Sequence, residues 1–453
     1  MPRHRRRPVP RPTAPLPEGT ATPRRGLRAA AGALRHRNFA LFWAGGLVSN
    51  VGRWLQAATI PYVVYQLTGS KTLIGVAAFA QFFPIVLMGP LAGSVADRFP
   101  RRSVLLWTQS AQAVLALALG AVWAWGWHDV GLLIAVVAVG GAVSGLNIPA
   151  WQAFVAELVP RSDLLNAVTL NSAQFNAARA LGPALAGAVL ATLGPAWAFL
   201  LNAVSYVAVL TALALVRVPR IAQGRSERRV LAQFADSLAY IRGFPEMVLC
   251  IVLVVAVAAL GMPVFQLMPV FAADVFKVGE GAYGLLAGAL GFGGAAAAPL
   301  VGGWAGGVRR SRVVGWSIAA YGLFLVAFAQ SPGLLSAMVA IALAGMAYLA
   351  VVSTLNTTLQ LAVAEERRGR VMAVYVMSFT AAYPLGSLAL GWLAEQVGAP
   401  LTVSAAGLLL TGTAVVLWAT AALHRFDRPT AVAGTVAGAV DGAEPAPRPL
   451  AAG

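Results

Sequence analysis

Long apolar runs separated by short polar segments fill almost the whole chain. A helix that spans a bilayer needs about 20 predominantly apolar residues. Twelve runs are long enough, and they cover residues 39–67, 72–96, 103–126, 131–158, 163–192, 196–216, 246–271, 282–305, 312–330, 333–361, 371–394 and 399–423. The pattern predicts an all-α polytopic membrane protein with twelve transmembrane helices.

The polar segments divide these runs into two groups of six. The longest internal polar stretch, 217–245, predicts a cytoplasmic linker that contains an amphipathic surface helix. It separates a six-helix bundle at 38–216 from a second one at 246–424. Residues 1–37 are rich in Pro and Arg, and 425–453 are rich in Pro, Gly and Ala, so both segments predict disordered cytoplasmic tails.

The second bundle repeats features of the first. A shift of 209 residues aligns Gly75 with Gly284, and small gaps then align Gly187 with Gly391. Two pseudo-symmetric halves of six helices, related by a parallel repeat, are typical of the major facilitator fold.

Charge is sparse and unevenly placed. Only 11% of residues are charged, and the mean hydropathy is +0.74, which excludes an ordinary soluble enzyme and a disordered protein. In a soluble protein a formal charge of +17 would suggest a nucleic-acid partner. Here, with both termini placed inside, 29 of the 33 Lys and Arg residues fall on the cytoplasmic side, against Lys71 and Lys277 outside. The positive-inside rule therefore predicts cytoplasmic termini, and basic residues that set topology argue against a nucleic-acid partner. Of the 33 basic residues 31 are Arg, and Ala, Gly and Pro are abundant, which favours a GC-rich bacterial source and hence the bacterial inner membrane.

The chain offers little catalytic or metal-binding chemistry. It has one cysteine, Cys250, and its four histidines lie in tails or loops, so no disulfide, metal cluster or catalytic histidine relay is expected. It also lacks a phosphate-binding GxxxxGK[ST] motif. We therefore expect no cofactor, no metal and no enzyme activity, and we expect a secondary transporter.

Two arginines interrupt apolar runs far from their ends. Arg53 lies near the middle of the first run, where Asn50 and Gln56 share its helical face. Arg179 lies in the fifth run with Asn176 on its face. A charged side chain at this depth should face protein or a watery cavity. We expect these residues to line a substrate cavity and to favour an anionic or hydrogen-bond-accepting group. The alternative is that polar neighbours or a backbone carbonyl satisfy each Arg.

Other polar residues at membrane depth are further candidates for substrate binding. The tenth run carries a polar stripe that includes Asn356 and Gln360, four residues apart. Isolated candidates are Gln81, Gln152 and Gln266.

Acidic residues are missing from the centres of the runs. Glu157 lies near the cytoplasmic end of the fourth run, and Asp97 lies at the edge of the second. These two carboxyls are the candidates for proton coupling, which usually needs a protonatable group within the membrane.

The loop after the second run carries a motif. Gly93, Asp97, Arg98, Arg101 and Arg102 resemble the GxxxDRxxRR loop of the major facilitator superfamily. The resemblance implies that this loop helps to latch the two halves during gating. A plain basic turn at the membrane edge is the alternative.

Residues 149–202 resemble the bacterial branch of that superfamily that contains the enterobactin exporter and the macrolide-efflux proteins, and the overall resemblance covers about 35–425. Gly182, Pro183 and Gly187 are similar to part of its antiporter motif, which is associated with efflux; helix kinking and packing are the alternative role. The resemblance also implies that spans one, four, seven and ten line the central cavity, flanked by two, five, eight and eleven.

These observations predict a monomeric secondary active transporter that exports a small organic molecule by alternating access, with protons as a candidate coupling ion. A siderophore, an antibiotic or an amphipathic metabolite would be a suitable substrate. An importer or lipid flippase on the same fold is the main alternative. A membrane-embedded enzyme lacks a catalytic cluster, and a non-transporting scaffold would not need polar stripes.

Overall fold

The computed structural model describes residues 32–217, 230–304 and 308–427. In this part of the chain the regular elements are helices, and twelve of them are long. They are α1 Arg37–Thr68, α2 Lys71–Arg98, α3 Arg101–Ala124, α4 Val130–Glu157, α5 Leu164–Thr192, α6 Pro195–Leu215, α7 Pro245–Val275, α8 Glu280–Trp304, α9 Arg310–Ala329, α10 Leu334–Ala362, α11 Glu365–Val397 and α12 Ala399–Ala419.

Each long helix coincides with a predicted run, so the all-α polytopic fold is confirmed. Among the described residues, nine helices are long and apolar enough to cross a membrane. The other three are α1, α5 and α8. The first two carry Arg53 and Arg179 in mid-helix, and α8 contains a shorter apolar stretch, Gly281–Ala297.

The helix α7 is irregular near its middle. A π-helical turn at Val257–Gly261 interrupts its α-helical segments before Pro263, and a second π-helical turn at Phe271–Val275 ends the helix after Pro269. Proline lacks the N–H that continues the hydrogen-bond ladder, and a π turn absorbs the mismatch. The irregular stretch presents Met262 to the space between the two halves.

Short connections make successive helices antiparallel. The chain therefore enters α1 and leaves α12 at one end of the bundle, which we call the terminal face, and we call the opposite end the distal face. At the distal face, Ser70 caps α2 by accepting from the Leu73 N–H at 3.2 Å, and Asp129 caps α4 by accepting from the Leu132 N–H. Gly69, with φ +63°, ends α1 in a left-handed conformation that glycine adopts readily.

The two halves meet along two helix pairs, α2 with α11 and α5 with α8. Gly187 of α5 lies against Gly284 of α8, where a Cβ on Gly187 would come within 2.3 Å of the Gly284 Cα. Gly391 of α11 faces Gly75 of α2, where a Cβ on Gly391 would lie 3.1 Å from the Gly75 Cα. The glycines that the sequence repeat aligns thus form two equivalent crossings between the halves, because only small residues allow such close approach.

Segments outside the spans pack on the terminal face. Gly32–Arg35 forms a 3₁₀ turn and α1 begins at Arg37, so the last six residues of the predicted tail 1–37 are helical or lead directly into a helix. Ala422–Asp427 forms another 3₁₀ turn, and Ser311 donates to the Asp427 carboxylate. The predicted linker helix is present at Val230–Arg242. Residues 1–31 and 428–453 lie outside the described residues.

Candidate functional site

A central cavity of about 580 Å³ lies between the two halves. Gln152 and Ser172, which line it on the terminal side, are exposed, whereas the halves close on each other towards the distal face. The cavity therefore opens at the terminal face. Its polar lining comprises Arg53, Gln56, Gln81, Gln112, Ser144, Gln152, Asn171, Ser172, Asn176, Arg179, Asn202 and Thr380. Its aromatic lining comprises Trp54, Phe82, Phe175, Tyr206, Phe265, Tyr348, Phe379 and Tyr383.

Arg53 faces this cavity without a carboxylate partner. Within the described part of the chain it forms neither an ion pair nor a hydrogen bond, and its guanidinium lies 5.7 Å from the centroid of the Phe175 ring. The alternative was that polar neighbours satisfy Arg53, but Gln56 instead accepts from Asn202 Nδ2 at 2.6 Å. The Arg53 guanidinium is thus available to a molecule in the cavity.

Arg179 contacts both halves. Its guanidinium lies 5.9 Å from the Trp54 ring centroid on α1 and 5.1 Å from that of Tyr348 on α10, and Nη2 lies 3.8 Å from Met262 Sδ on α7. Cation–π contacts contribute about 0.5–2 kcal/mol each, more when desolvated. Arg179 therefore has aromatic partners but, among the described residues, no carboxylate partner.

A hydrogen-bonded network supports the wall of the cavity in the first half. Gln112 Nε2 donates to Ser144 Oγ at 2.9 Å, and Tyr206 Oη donates to Gln112 Oε1 at 2.8 Å. Gln112 and Tyr206 lie on α3 and α6 and were not predicted to line the cavity, because the resemblance assigns the lining to other spans. An isolated glutamine in an apolar run was the available signal.

A second, smaller cavity of about 110 Å³ adjoins the first. We call it the side chamber. Arg53 lines both spaces, and Asn50, which was predicted to share its face, lines the side chamber only. The chamber is lined by Ser49, Asn50, Arg53, Gln109, Gln112, Asn147, Ile148, Trp151, Gln152, Asn171, Phe175 and Tyr206.

The structure brings most, but not all, of the predicted binding residues together. The central cavity collects Arg53, Gln56, Gln81, Gln152, Asn176 and Arg179.

Three predicted residues do not line either described cavity. Gln266 is buried and donates to Tyr383 Oη at 2.7 Å, so it supports the lining without reaching it. Gln360 Nε2 donates to Asn356 Oδ1 at 2.6 Å, so these two side chains bond to each other along α10. A stripe of polar residues identifies one helical face but does not say whether that face meets the cavity.

The predicted proton sites and gating loop lie at the terminal face. Arg101 donates to the Glu157 carboxylate in an ion pair. Arg102 donates to the carbonyl of Leu213 at 2.6 Å, which ties α3 to α6. Arg98 and Gly93 are exposed, while the side chain of Asp97 lies outside the described residues. No Asp or Glu is among the described residues that line the central cavity, and those residues hold no cluster suited to a metal.

The antiporter-like motif packs two interfaces. A Cβ on Gly182 would lie 2.4 Å from the Trp54 Cβ, so this glycine allows α5 to approach α1 beside the cavity. Gly187 forms the crossing with α8 described above, and Pro183 lies within α5 between them. Close packing thus accounts for both glycines.

Comparison with known proteins identifies the family. The family model described as transmembrane secretion effector matches residues 29–435. The multidrug efflux pump Tap of Mycobacterium tuberculosis is 25% identical, with 84% of this chain and 93% of that protein aligned. The enterobactin exporter EntS of Citrobacter koseri is 25% identical over 88% of this chain and 95% of that protein.

A third relative aligns over a shorter stretch. The staphyloferrin A transporter of Staphylococcus aureus is 25% identical over 52% of this chain. The aligned part covers 59% of that protein, so this chain spans little more than half of its length. The fold is similar to that of the nucleoside transporter NupG, with a TM-score of 0.66, 14% identity, and coverage of 86% of this chain and 100% of that one. Since the family model matches most of the chain, this protein belongs to the transmembrane secretion effector family of major facilitator transporters.

Proposed function

We propose that this transporter exports a small amphipathic organic molecule that carries an anionic or hydrogen-bond-accepting group. One observation carries the proposal: two arginines without carboxylate partners face a cavity whose remaining walls are largely aromatic and apolar. In a low-dielectric cavity an unpaired guanidinium favours an anion, and aromatic walls favour an apolar body. A siderophore, an acidic antibiotic or an amphipathic metabolite has both parts.

The direction of transport is proposed from topology. The excess of Arg and Lys on the terminal side favours a cytoplasmic terminal face in a bacterial inner membrane. The cavity opens at that face, so it would take up its substrate from the cytoplasm. Efflux by Tap and export by EntS support the same direction. An importer or lipid flippase would use the same fold in reverse or on another substrate.

The energy source in this proposal is a proton gradient, with Glu157 and Asp97 as the candidate sites. Glu157 is paired with Arg101 at the terminal face, so a proton that neutralised it would release that pair. We propose that the working unit is a monomer, because the central cavity is formed by one chain.

The direct test measures efflux from cells with and without the protein. Cells are loaded with labelled siderophores, macrolides and dyes, and efflux is followed before and after a protonophore. We expect protonophore-sensitive efflux of an acidic amphipathic compound. Faster entry of such a compound would instead support an importer.

Arginine variants test the binding chemistry. Arg53→Gln should weaken efflux of an acidic compound by about tenfold, which corresponds to about 1.4 kcal/mol, while an uncharged ester of the same compound is affected less. Arg179→Gln should have a smaller effect in the same direction, since its guanidinium already has aromatic partners. Arg312→Gln, an exposed arginine on the terminal face, is the matched control. Normal efflux by both cavity variants at normal expression would refute the proposed role of the arginines.

A further inference from the structure

The central cavity has two positive charges in its wall. Among the described residues that line it, Arg53 and Arg179 are charged, and none is an Asp, Glu, Lys or His. A guanidinium keeps its proton inside proteins, so neither charge is lost by titration. A single anion would neutralise one guanidinium and leave the other uncompensated in a space of low dielectric constant, which is unfavourable.

An aromatic pair connects the two guanidinium groups. The Arg53 guanidinium lies 5.7 Å from the centroid of the Phe175 ring, and the Arg179 guanidinium lies 5.9 Å from the centroid of the Trp54 ring. The two rings contact each other edge to face, with their centroids 5.8 Å apart. Phe175 is 40% exposed, so this pair offers an apolar surface beside both charges.

Both guanidinium groups can still bind a carboxylate. A cation–π contact lowers the cost of burying a charge, but it is not a hydrogen bond. Within the described part of the chain Arg53 forms no hydrogen bond, and Arg179 forms one, to Met262 Sδ at 3.8 Å. Since a guanidinium has five N–H donors and binds a carboxylate through two parallel hydrogen bonds, each arginine has donors to spare.

We propose that the central cavity binds a molecule with two acid groups joined by an apolar spacer. One carboxylate would pair with Arg53 and the other with Arg179, while the spacer would lie against Phe175 and Trp54. Such a molecule neutralises both charges, which a monoacid of the same size cannot do. The inference rests on the proposed function and specifies its substrate class.

Binding to the purified full-length protein in phosphatidylcholine nanodiscs tests the proposal. The probes are octanedioate, its monomethyl ester and its dimethyl ester, measured by isothermal titration at about pH 7, where both acids are ionised. Empty nanodiscs give the background. The three compounds share one flexible spacer and differ in charge. We expect octanedioate to bind about tenfold more tightly than the monoester, because it makes a second charge-assisted contact, and we expect the dimethyl ester to bind most weakly.

Glutamine variants assign the second charge to the arginine pair. Arg53→Gln and Arg179→Gln each leave one guanidinium, so the two acids can no longer be bound together. The ratio of affinities between octanedioate and the monoester should then fall to about two, because octanedioate has two equivalent ends for one site. Arg312→Gln, at an exposed position on the terminal face, is the matched control and should keep the wild-type ratio.

Further variants separate charge from packing. Arg179→Lys keeps the cation but loses the planar guanidinium, so it should retain more of the preference for octanedioate than Arg179→Gln does. Equal loss in these two variants would mean that Arg179 acts through packing, and the inference would be wrong. If the glutamine variants fold poorly, Arg53→Met and Arg179→Met keep an apolar stem and give the same readout.

The outcomes separate this inference from the proposed function. If octanedioate and the monoester differ by no more than about twofold, while both bind more tightly than the dimethyl ester, the inference is wrong and the proposed function stands. If either glutamine variant keeps the wild-type ratio, the two acids do not bridge the arginines and the inference is also wrong. If neither acid binds more tightly than the dimethyl ester, or if no probe binds, both fail.

Discussion

The two ends of this transporter are held together in different ways. At the distal face, polar contacts join one half to the other: Glu395 Oε2 of α11 accepts from the backbone N–H of Lys71 at 2.6 Å and of Thr72 at 3.1 Å, and Tyr65 donates to Asp274. At the terminal face, the described ion pairs lie within the first half, between Arg101 and Glu157 and between Arg35 and Asp163. The two halves can therefore separate at the terminal face without breaking these contacts.

This difference indicates which contacts control opening of the cavity at the distal face. The distal contacts have to break before the cavity can open on that side, so they stabilise the conformation that is open at the terminal face. The terminal pairs can persist while the halves move as units, as expected for rocking of two bundles about a central site. Variants at the two faces should thus have different consequences.

The distal face is itself asymmetric. Tyr65 and Asp274 lie 209 residues apart, which is the offset of the sequence repeat, so their contact joins equivalent positions of the two halves. The Glu395 carboxylate lies at the N-terminus of α2, where a negative charge is favourable. The matching crossing of α5 and α8 relies on Gly187 and Gly284. Both crossings thus rely on close packing of glycines, and the Glu395 carboxylate holds the α2–α11 crossing in addition.

Gly187→Val should have the largest effect. The added side chain meets the backbone of Gly284, which cannot move aside as a flexible side chain would. Overpacking of this kind costs about 1–3 kcal/mol or more. We expect efflux to fall at least tenfold, measured with the acidic substrate at matched expression.

The control for this variant is Gly89→Val, since nothing lies within 4 Å of a Cβ at that position. It should retain efflux. Equal loss in the two variants would show that the Gly187 crossing has no special role.

Glu395→Gln should have an intermediate effect, on gating. The neutral amide keeps one acceptor but loses the charge that strengthens the bonds to the N-terminus of α2. A loss of about 1 kcal/mol shifts the balance towards a distal-open state about fivefold. The measurement is labelling of Thr380→Cys, which lines the cavity, by a membrane-impermeant maleimide from the distal side; Cys250 is buried and contributes little background.

Glu366→Gln is the matched control for the gate, because Glu366 is exposed at the other end of the same helix. Its labelling rate should equal that of the wild type. A rate unchanged by Glu395→Gln would show that this carboxylate does not hold the distal face closed.

Part of this arrangement could be predicted from the sequence. Apolar runs predicted all twelve long helices because a bilayer imposes both their length and their composition. The repeat aligned the four glycines of the two crossings, but it did not predict that they meet between the halves. The depth of Arg53 and Arg179 indicated the cavity, since a charge at that depth needs a polar or protein environment.

The rest depends on how helices are rotated and on partners distant in the chain. Asn356 and Gln360 share one polar stripe of α10, yet they bond to each other and line neither described cavity. The sequence does not single out Gln109, whose buried Oε1 without a hydrogen bond is visible only when the neighbouring helices are in place. Glu395 lies near the end of a run, and nothing in its local sequence indicates that it caps a helix of the other half.

The smallest effect is expected from Asp163→Asn at the terminal face. Asp163 Oδ2 lies 2.7 Å from both His36 Nε2 and Arg35 Nη2, and hydrogen bonding to His36 and then to Arg35 lowers the pKa of this carboxyl. Because the pKa is lowered in the folded state, the contact stabilises the fold at pH values above the ordinary carboxylate pKa of about 4. This stabilisation is lost as the pH falls through the lowered pKa. We therefore expect Asp163→Asn to speed hydrogen exchange at residues 32–36 at about pH 7. After correction for the intrinsic pH dependence of exchange, the wild type should match the variant only in strong acid.

Distal labelling of Thr380→Cys should stay unchanged in Asp163→Asn, because the contact of Asp163 lies within one half. Faster distal labelling in Asp163→Asn would mean that the terminal pairs also control the gate, and the contrast between the two faces would then be wrong.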